Sequence, residues 1–408
     1  MTERLYYHDS FLREFDATVL ACDPDPEHPG ERWRVVLDRT GFYPTSGGQP
    51  HDTGRLGSAD VVEVADSEDG HGVVHYTSAA VKPGPVRGTI DWPRRIDHMQ
   101  QHTGQHLLSA AFIELFGFPT VSFHLGREVS TIDLEAASIV PRHLDEAERR
   151  TNEIIFEDRV VAVRFGTAEE LAEAGIRKKV DRRGVLRAVE VDGFDRQPCG
   201  GTHLARTGQA GVLLIRKLER RREAWRVEFV CGFRALAAAR GDFTTLTQTA
   251  SLLSCGLPEV PGVIAKTIDE RRMQHARAKR LEERLAEFEA RALVAQGTTG
   301  ADDRRVVAAV LDDATPAYLG LLAAKIVAEG NVVALLAGRT TGHVVFAQSK
   351  GGNADLGSLL GATLREFGGK GGGAKDFAQG SVPKPSDADA IVARSRERLG
   401  SVAQNRGA

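Results

Sequence analysis

The sequence predicts a multidomain α+β protein: a small N-terminal β-barrel, an α+β metal-binding core, a helical arm and a small C-terminal α/β domain. Three observations lead there. At 408 residues the chain is too long for one ordinary hydrophobic core. Its patterning changes along its length, from short β-rich runs between turn residues to a long charged helix and then alternating strand-like and helical runs. Two pairs of nitrogen and sulfur donors, far apart in sequence, suit one metal ion.

A composition of 41% hydrophobic and 27% charged residues is that of a soluble globular protein rather than a disordered one. A net charge of -3 gives no global nucleic-acid signal, so any RNA contact must come from local patches. The four cysteines, Cys22, Cys199, Cys231 and Cys255, form no CxxC pair, which points to a reducing compartment, the cytoplasm by default. The first residues lack the apolar core of a signal peptide, and no apolar run is long enough to span a bilayer, so no membrane association is expected.

Residues 1–92 carry β-rich runs, 33–37 and 61–64, bounded by Gly, Pro and Asp clusters, which predicts a small barrel. Within it Thr40 to Pro50 reads TGFYPTSGGQP, either a hairpin loop or a place where glycine lets backbone approach a ligand. The core, 93–240, should hold helices at 97–116 and 143–157 and strands at 185–191, 211–216 and 225–230. Two basic clusters, Arg177, Lys178, Lys179, Arg182 and Arg183, and Arg216, Lys217, Arg220, Arg221 and Arg222, read as a solvated face or as phosphate contacts. The arm, 241–298, contains a charged helix from 259 to 296 whose Leu281, Leu285, Phe288 and Ala292 give a short a/d-like stripe, ended by a linker at 297–300. Strand-like and helical runs alternate through 299–408, predicting a small α/β domain. Its stretch from Gly368 to Gly380, GGKGGGAKDFAQG, reads as a loop exposing backbone N–H groups beside lysines, either a phosphate cradle or a flexible linker.

His102 and His106 are four residues apart, so on a helix their imidazoles share a face and can aim at one point. Alone, the pair fits packed histidines as well as ligands. Cys199 and His203, separated by Gly-Gly-Thr, add a thiolate and a third imidazole on a segment that can turn tightly. Three His and one Cys suit zinc in a tetrahedron, and one Zn2+ per chain is expected.

Read together, GFYPTSGGQPHDTG, HTGQHLLSAAF, CGGTH and the later RVEFVCG resemble the AlaX alanyl-tRNA editing proteins, in their long form, and the editing domain of alanyl-tRNA synthetase. The arm and GGKGGGAKDFAQG resemble the synthetase C-terminal domain of the DHHA1 kind. The synthetase's aminoacylation domain has no counterpart here, so the chain is not expected to charge tRNA. The resemblance implies an aminoacyl-tRNA deacylase acting on mischarged alanine tRNA, carrying serine or glycine. It implies zinc ligands at His102, His106, Cys199 and His203, and substrate contacts at Thr40, Gly47, Gly48, Gln49 and Thr103, with Thr40 and Gln49 as catalytic candidates. tRNA contacts would come from Lys370, Gly371, Gly372, Gly373, Lys375 and Gln379, although Ala374-Lys375 stands where the synthetase motif carries Arg-Pro. The C-terminal region could instead pair two chains into a homodimer. Outside this reading stand a threonyl-type editor of serine-charged threonine tRNA and a non-catalytic tRNA-binding protein with structural zinc. Four protein ligands close the metal's shell, so either one of them, His203, yields to water or substrate, or the ion anchors the fold and the α-amino group. Alanine is smaller than serine, so rejecting it calls for a buried group that needs the serine hydroxyl, for which Thr40 and Gln49 are candidates.

Overall fold

The computed structural model describes residues 2–68, 72–173, 176, 184–300 and 303–404. The chain divides into two compact units, Met1–Leu252 and Leu253–Ala408. Six antiparallel strands close the expected barrel, in the order Glu14–Pro24, Trp33–Leu37, Val73–Thr77, Ala59–Asp66, Gly54–Leu56 and Gly84–Ile90. Alternation drives this, since Phe15, Ala17 and Val19 turn inward from the first strand while their neighbours face solvent. Phe42, Leu37, Leu56, Val64 and Ile90 complete the interior.

Helix α1, Trp92–Phe116, leaves the barrel directly and begins five residues before the expected position. Asp91 caps it by accepting from Arg94 N, and a proline in its first turn suits a helix start. Gly117, in the left-handed region at φ 68°, ends it. Every residue from His98 to Phe112 is buried, so α1 is a central helix rather than one with a single apolar face. Around it lie α2 (Pro141–Phe156), α3 (Ala168–Glu173) and two antiparallel sheets. One orders Leu213–Arg221, Ala224–Cys231, Ser130–Leu134 and Thr120–Leu125; the other orders Val161–Gly166, Leu186–Val191 and Asp195–Pro198. Leu107, Leu108, Phe112, Ile132, Ile154, Val227 and Phe229 form the shared core.

Because α1 is buried on all sides, its polar residues need partners inside. Gln101 behaves like a neighbouring strand, its amide donating to Cys231 O at 2.8 Å and accepting from Cys231 N at 2.9 Å. Gly104 permits that approach, since a Cβ there would stand 2.8 Å from Cys231 Sγ. Arg95 is completely buried with Asp52, its Nε 3.0 Å from Oδ1, and it also donates to Ser10 O and Gly41 O. Asp52 in turn accepts from Tyr43 N at 2.6 Å.

The segment expected as one arm, 241–298, is shared between the units. Helix α4, Phe233–Leu252, closes the first unit, and α5, Val260–Gln296, opens the second. Ala286 and Ala290 of α5 are buried with Leu319, Leu322 and Ile326 of α6 (Pro316–Ala328), while Leu281, Leu285 and Phe288 are exposed. The stripe is therefore not what holds α5 to its unit; alanines on another face do so. Thr298–Thr299, expected as linker, instead pairs with Arg305 and Val306 as a short edge strand. The six-stranded sheet runs Thr298–Thr299, Arg305–Leu311, Val332–Gly338, His343–Gln348, Phe377–Ser381, Lys370–Gly373, with the second and third parallel and the other pairs antiparallel. Helices α7 (Leu356–Glu366) and α8 (Ala388–Gln404) complete the unit.

The glycine-lysine stretch is not a loop. Lys370–Gly373 and Phe377–Ser381 are paired strands, and no helix opens on the glycines. Packing explains them: a Cβ on Gly371 would meet Leu364 and the facing Gly380 at 2.7 Å, and one on Gly373 would meet Phe377 O at 2.3 Å. Gly372 alone has open space. Among the described residues no helix is long and apolar enough to cross a membrane.

Removing one member of a fully buried ion pair strands the other charge, which typically costs about 3–5 kcal/mol. Asp52→Ala should therefore destabilise the first unit by about that amount in urea denaturation followed by the fluorescence of its tryptophans.

Candidate metal centre

Helix α1 places His102 and His106 one turn apart, and the segment after strand Asp195–Pro198 brings Cys199 and His203 to them. One donor atom from each lies within 4.8 Å of the other three, and three of the four residues are buried. Cys199 Sγ stands 3.4 Å from His102 Nε2 and 3.3 Å from His203 Nε2. Sulfur and nitrogen ligands of one tetrahedral zinc would be roughly 3.5 Å apart, given bonds of about 2.3 and 2.0–2.1 Å. The group could therefore hold a metal ion.

Each imidazole is also held from behind. His102 Nδ1 lies 2.8 Å from Gln49 Oε1, His203 Nδ1 lies 3.2 Å from Thr103 Oγ1, and His106 Nδ1 lies 3.4 Å from Asp195 Oδ2. With Nδ1–H of His102 and His203 donating to an oxygen, Nε2 of those two rings keeps its lone pair for an ion, while His106 faces Asp195 at ion-pair distance. Burial works against a charged Cys199, but the imidazoles of His102 and His203 outweigh it and hold the thiol well below its ordinary range. Burial likewise pushes His203 well down. It opposes charge on His106 too, yet hydrogen bonds to Asp195 and Cys199 prevail and raise that ring to about 9. A metal binding here would have to displace that proton.

Of the two glycines, Gly201 acts through close contact rather than a left-handed turn, whereas at Gly200 a Cβ would meet only Tyr7 at an ordinary 3.7 Å. A Cβ on Gly201 would lie 2.2 Å from His102 Cε1, so only glycine lets the segment pass the ring. Arg187, on strand Leu186–Val191, clamps the same segment by donating to Cys199 O at 2.7 Å and Gly201 O at 2.9 Å.

Two family models match the chain. The Threonyl and Alanyl tRNA synthetase second additional domain matches residues 186–228, which include Cys199 and His203, and the DHHA1 domain matches 303–401. Over 98% of its length the chain is 29% identical to the whole of Alanyl-tRNA editing protein AlaX-L from Pyrococcus horikoshii. The relatives it matches along its whole length are alanyl-tRNA editing proteins. Aarsd1, an Alanyl-tRNA editing protein of Mus musculus, is 29% identical over 94% of each chain. Alanine--tRNA ligase of Thermococcus kodakarensis is 31% identical over 98% of this chain but only 44% of its own length.

Of the residues singled out from sequence, the structure gathers Gln49 and Thr103 with His102, His106, Cys199 and His203. Gln49 has no free polar atom, since Oε1 faces His102 and also accepts from Thr202 N at 3.1 Å, while Nε2 donates to Thr202 Oγ1 at 2.9 Å. It is a positioning residue. Gly48, at φ 85°, has Phe123 against it where a Cβ would go, at 2.9 Å, whereas Gly47 faces open space. Thr40 is not joined to the cluster by any hydrogen bond: its hydroxyl is 2.8 Å from His75 Nε2 inside the barrel and accepts from Phe42 N. Sequence reasoning missed Asp195 and Arg187, single charged residues on strands, the first of them four residues before Cys199. Of the basic clusters, Arg216 pairs with Asp242, Lys217 and Arg221 face Glu219, and Arg220 lies over Trp225, the arrangement of a solvated face. The cluster at Arg177, Lys178, Lys179, Arg182 and Arg183 lies outside the described residues.

Groups that orient metal ligands typically contribute 10–100-fold to metal affinity. Asp195→Asn should weaken metal binding by roughly that factor while leaving the stoichiometry unchanged, as read in a chelator-competition titration.

Proposed function

We propose that this protein hydrolyses the ester joining a wrong amino acid, serine or glycine, to the terminal ribose of alanine tRNA, at a centre holding one zinc ion per chain. The observation that carries the reading is the convergence of three imidazoles on Cys199, with His102 and His203 hydrogen-bonded through Nδ1 and His106 facing Asp195, in a chain similar along its whole length to an alanyl-tRNA editing protein. An aminoacyl ester is already activated, so no serine-type triad is needed. Zinc held by His102, His106, Cys199 and His203 would supply electrostatic polarisation of the ester or its attacking water, or an anchor for the α-amino group. The chain's own part is positional. Gln49 keeps His102 in the tautomer that offers Nε2, Thr103 does the same for His203, Asp195 faces His106, and Arg187 prevents the Cys199 segment from swinging away. The cytoplasm, where thiols stay reduced, suits a site that needs Cys199 as a thiolate and a chain whose four cysteines are all free.

Deacylation of alanine tRNA charged with serine, glycine or alanine, set against serine-charged threonine tRNA, tests the reading. Seryl and glycyl alanine tRNA should be hydrolysed, alanyl and the threonine tRNA far more slowly. Cys199→Ala and His106→Ala should each abolish serine release and lower zinc below one per chain by elemental analysis. Metal loss with full serine release retained would leave zinc a purely structural role.

The second unit supplies the likeness to DHHA1 domains and contributes none of the four ligands, so its part is contact with the tRNA body or self-association. Lys370, Lys375 and Gln379 are exposed, and Gly372 leaves its backbone uncovered, which favours phosphate contact along the hairpin. A chain ending at Leu252 should bind tRNA more weakly and with a shallower dependence on salt, while retaining hydrolysis at high tRNA concentration. If the shortened chain instead goes from dimer to monomer by light scattering with unchanged tRNA affinity, the second unit pairs chains.

A further inference from the structure

Beside the metal ligands lies a cavity of about 320 Å³ whose lining includes Gln105, Ile113, Thr120, Phe123 and Gln197. Its walls belong to the elements that build the centre. Gln105 precedes His106 on α1, Gln197 stands two residues before Cys199, and the Phe123 ring lies 5.2 Å from the His102 ring and packs on Gly48. The cavity is thus walled by the same helix and neighbouring segments that carry the cluster, with Phe123 common to both.

Gln105 is the unusual member of that lining. It is 2% exposed, its Nε2 donates to Ser109 Oγ at 2.9 Å, and its Oε1 is buried with no hydrogen-bond partner. Turning the amide over would leave the nitrogen unmatched instead, so in either orientation one polar atom lacks a partner. Such an atom costs free energy unless a ligand completes it. The other two candidates for reading a serine hydroxyl are already engaged, Thr40 by His75 and Gln49 by Thr202 and His102.

We infer that the cavity receives the side chain of the ester-linked amino acid and that Gln105 hydrogen-bonds its hydroxyl, which makes Gln105 the residue that separates serine from alanine. A hydroxyl both donates and accepts, so it satisfies the amide in either orientation. Alanine places a methyl group there and leaves the buried amide unmatched, a penalty that size exclusion cannot supply because alanine is the smaller residue. The inference rests on the deacylase reading of the metal centre.

The test uses the full-length, metal-loaded chain and the ratio of kcat/KM for seryl over alanyl alanine tRNA. Gln105→Met keeps length and removes the polar group; the ratio should fall roughly 10- to 100-fold with metal content unchanged. The glycyl ester, which has no side chain to read, should slow far less than the seryl one. Equal slowing of all three esters, or an unchanged ratio, would overturn the assignment. Ile113→Trp fills the cavity from a second wall without removing Gln105 and should raise KM for the seryl ester; an unchanged KM would show that the cavity is not the side-chain pocket. If the unaltered chain hydrolyses none of these esters, the deacylase reading fails first and the role of Gln105 falls with it. A wild-type seryl rate with no effect of Gln105→Met refutes the role of Gln105 alone.

Discussion

The buried pair of Arg95 and Asp52 is the contact on which the centre depends. Two charges removed from water are tolerable because the guanidinium also meets the carbonyls of Ser10 and Gly41 and the carboxylate also accepts from Tyr43 N. Gly41 and Tyr43 stand at one end of the glycine-containing loop and Asp52 at the other, so the loop is fixed at both ends and spans the gap between them. Arg95 and His102 are seven residues apart on α1, about 10 Å along the axis. The pair thus sets the height at which Gln49 meets His102, and through that the direction in which the imidazole points.

Polar residues on a wholly buried helix are costly, and α1 carries many of them. Gln100 and Gln101 are used to bind backbone of the segments around Gln209 and Cys231, while His102, Thr103 and His106 are used at the centre. His98 is the contrasting case. Its Nδ1 has no partner, and burial together with the charges of Arg94, Arg234 and Arg95 outweighs Asp52 and draws its pKa down to about 3, so the ring stays neutral. Burial is the largest cause that discharges His98 on this helix, and His106 escapes that outcome because Asp195 and Cys199 stand beside it.

The ligands were legible because their chemistry is periodic or local: His102 and His106 one helical turn apart, Cys199 and His203 in one short segment. The barrel was legible through alternation such as that from Phe15 to Val19. What failed needed three-dimensional knowledge. Asp195 and Arg187 matter only because chain segments meet, and although Asp195 lies four residues before Cys199, nothing in sequence says that it faces His106 on another element. Thr40 lies near Gln49 in sequence, yet strand Arg39–Thr40 turns its hydroxyl to His75. Glycine density misled most at Lys370–Gly373, because glycine serves close packing as readily as flexibility. The a/d-like stripe of α5 misled in a similar way, since the alanines beside it, and not its leucines, make the contact with α6.

Strand Lys370–Gly373 also ends the six-stranded sheet, and its outer side meets no further strand among the described residues. An unpaired edge is a template for joining another molecule edge to edge, and proteins blunt it with charge and with residues that form strands poorly. Here a lysine opens the strand and three glycines follow. With no side chains to build a continuous apolar ridge and the weakest strand propensity available, the edge resists extension by a stray β-segment. The same glycines that let α7 settle onto the hairpin thus guard the domain against aggregation, and replacing them with valine or isoleucine would remove both properties at once.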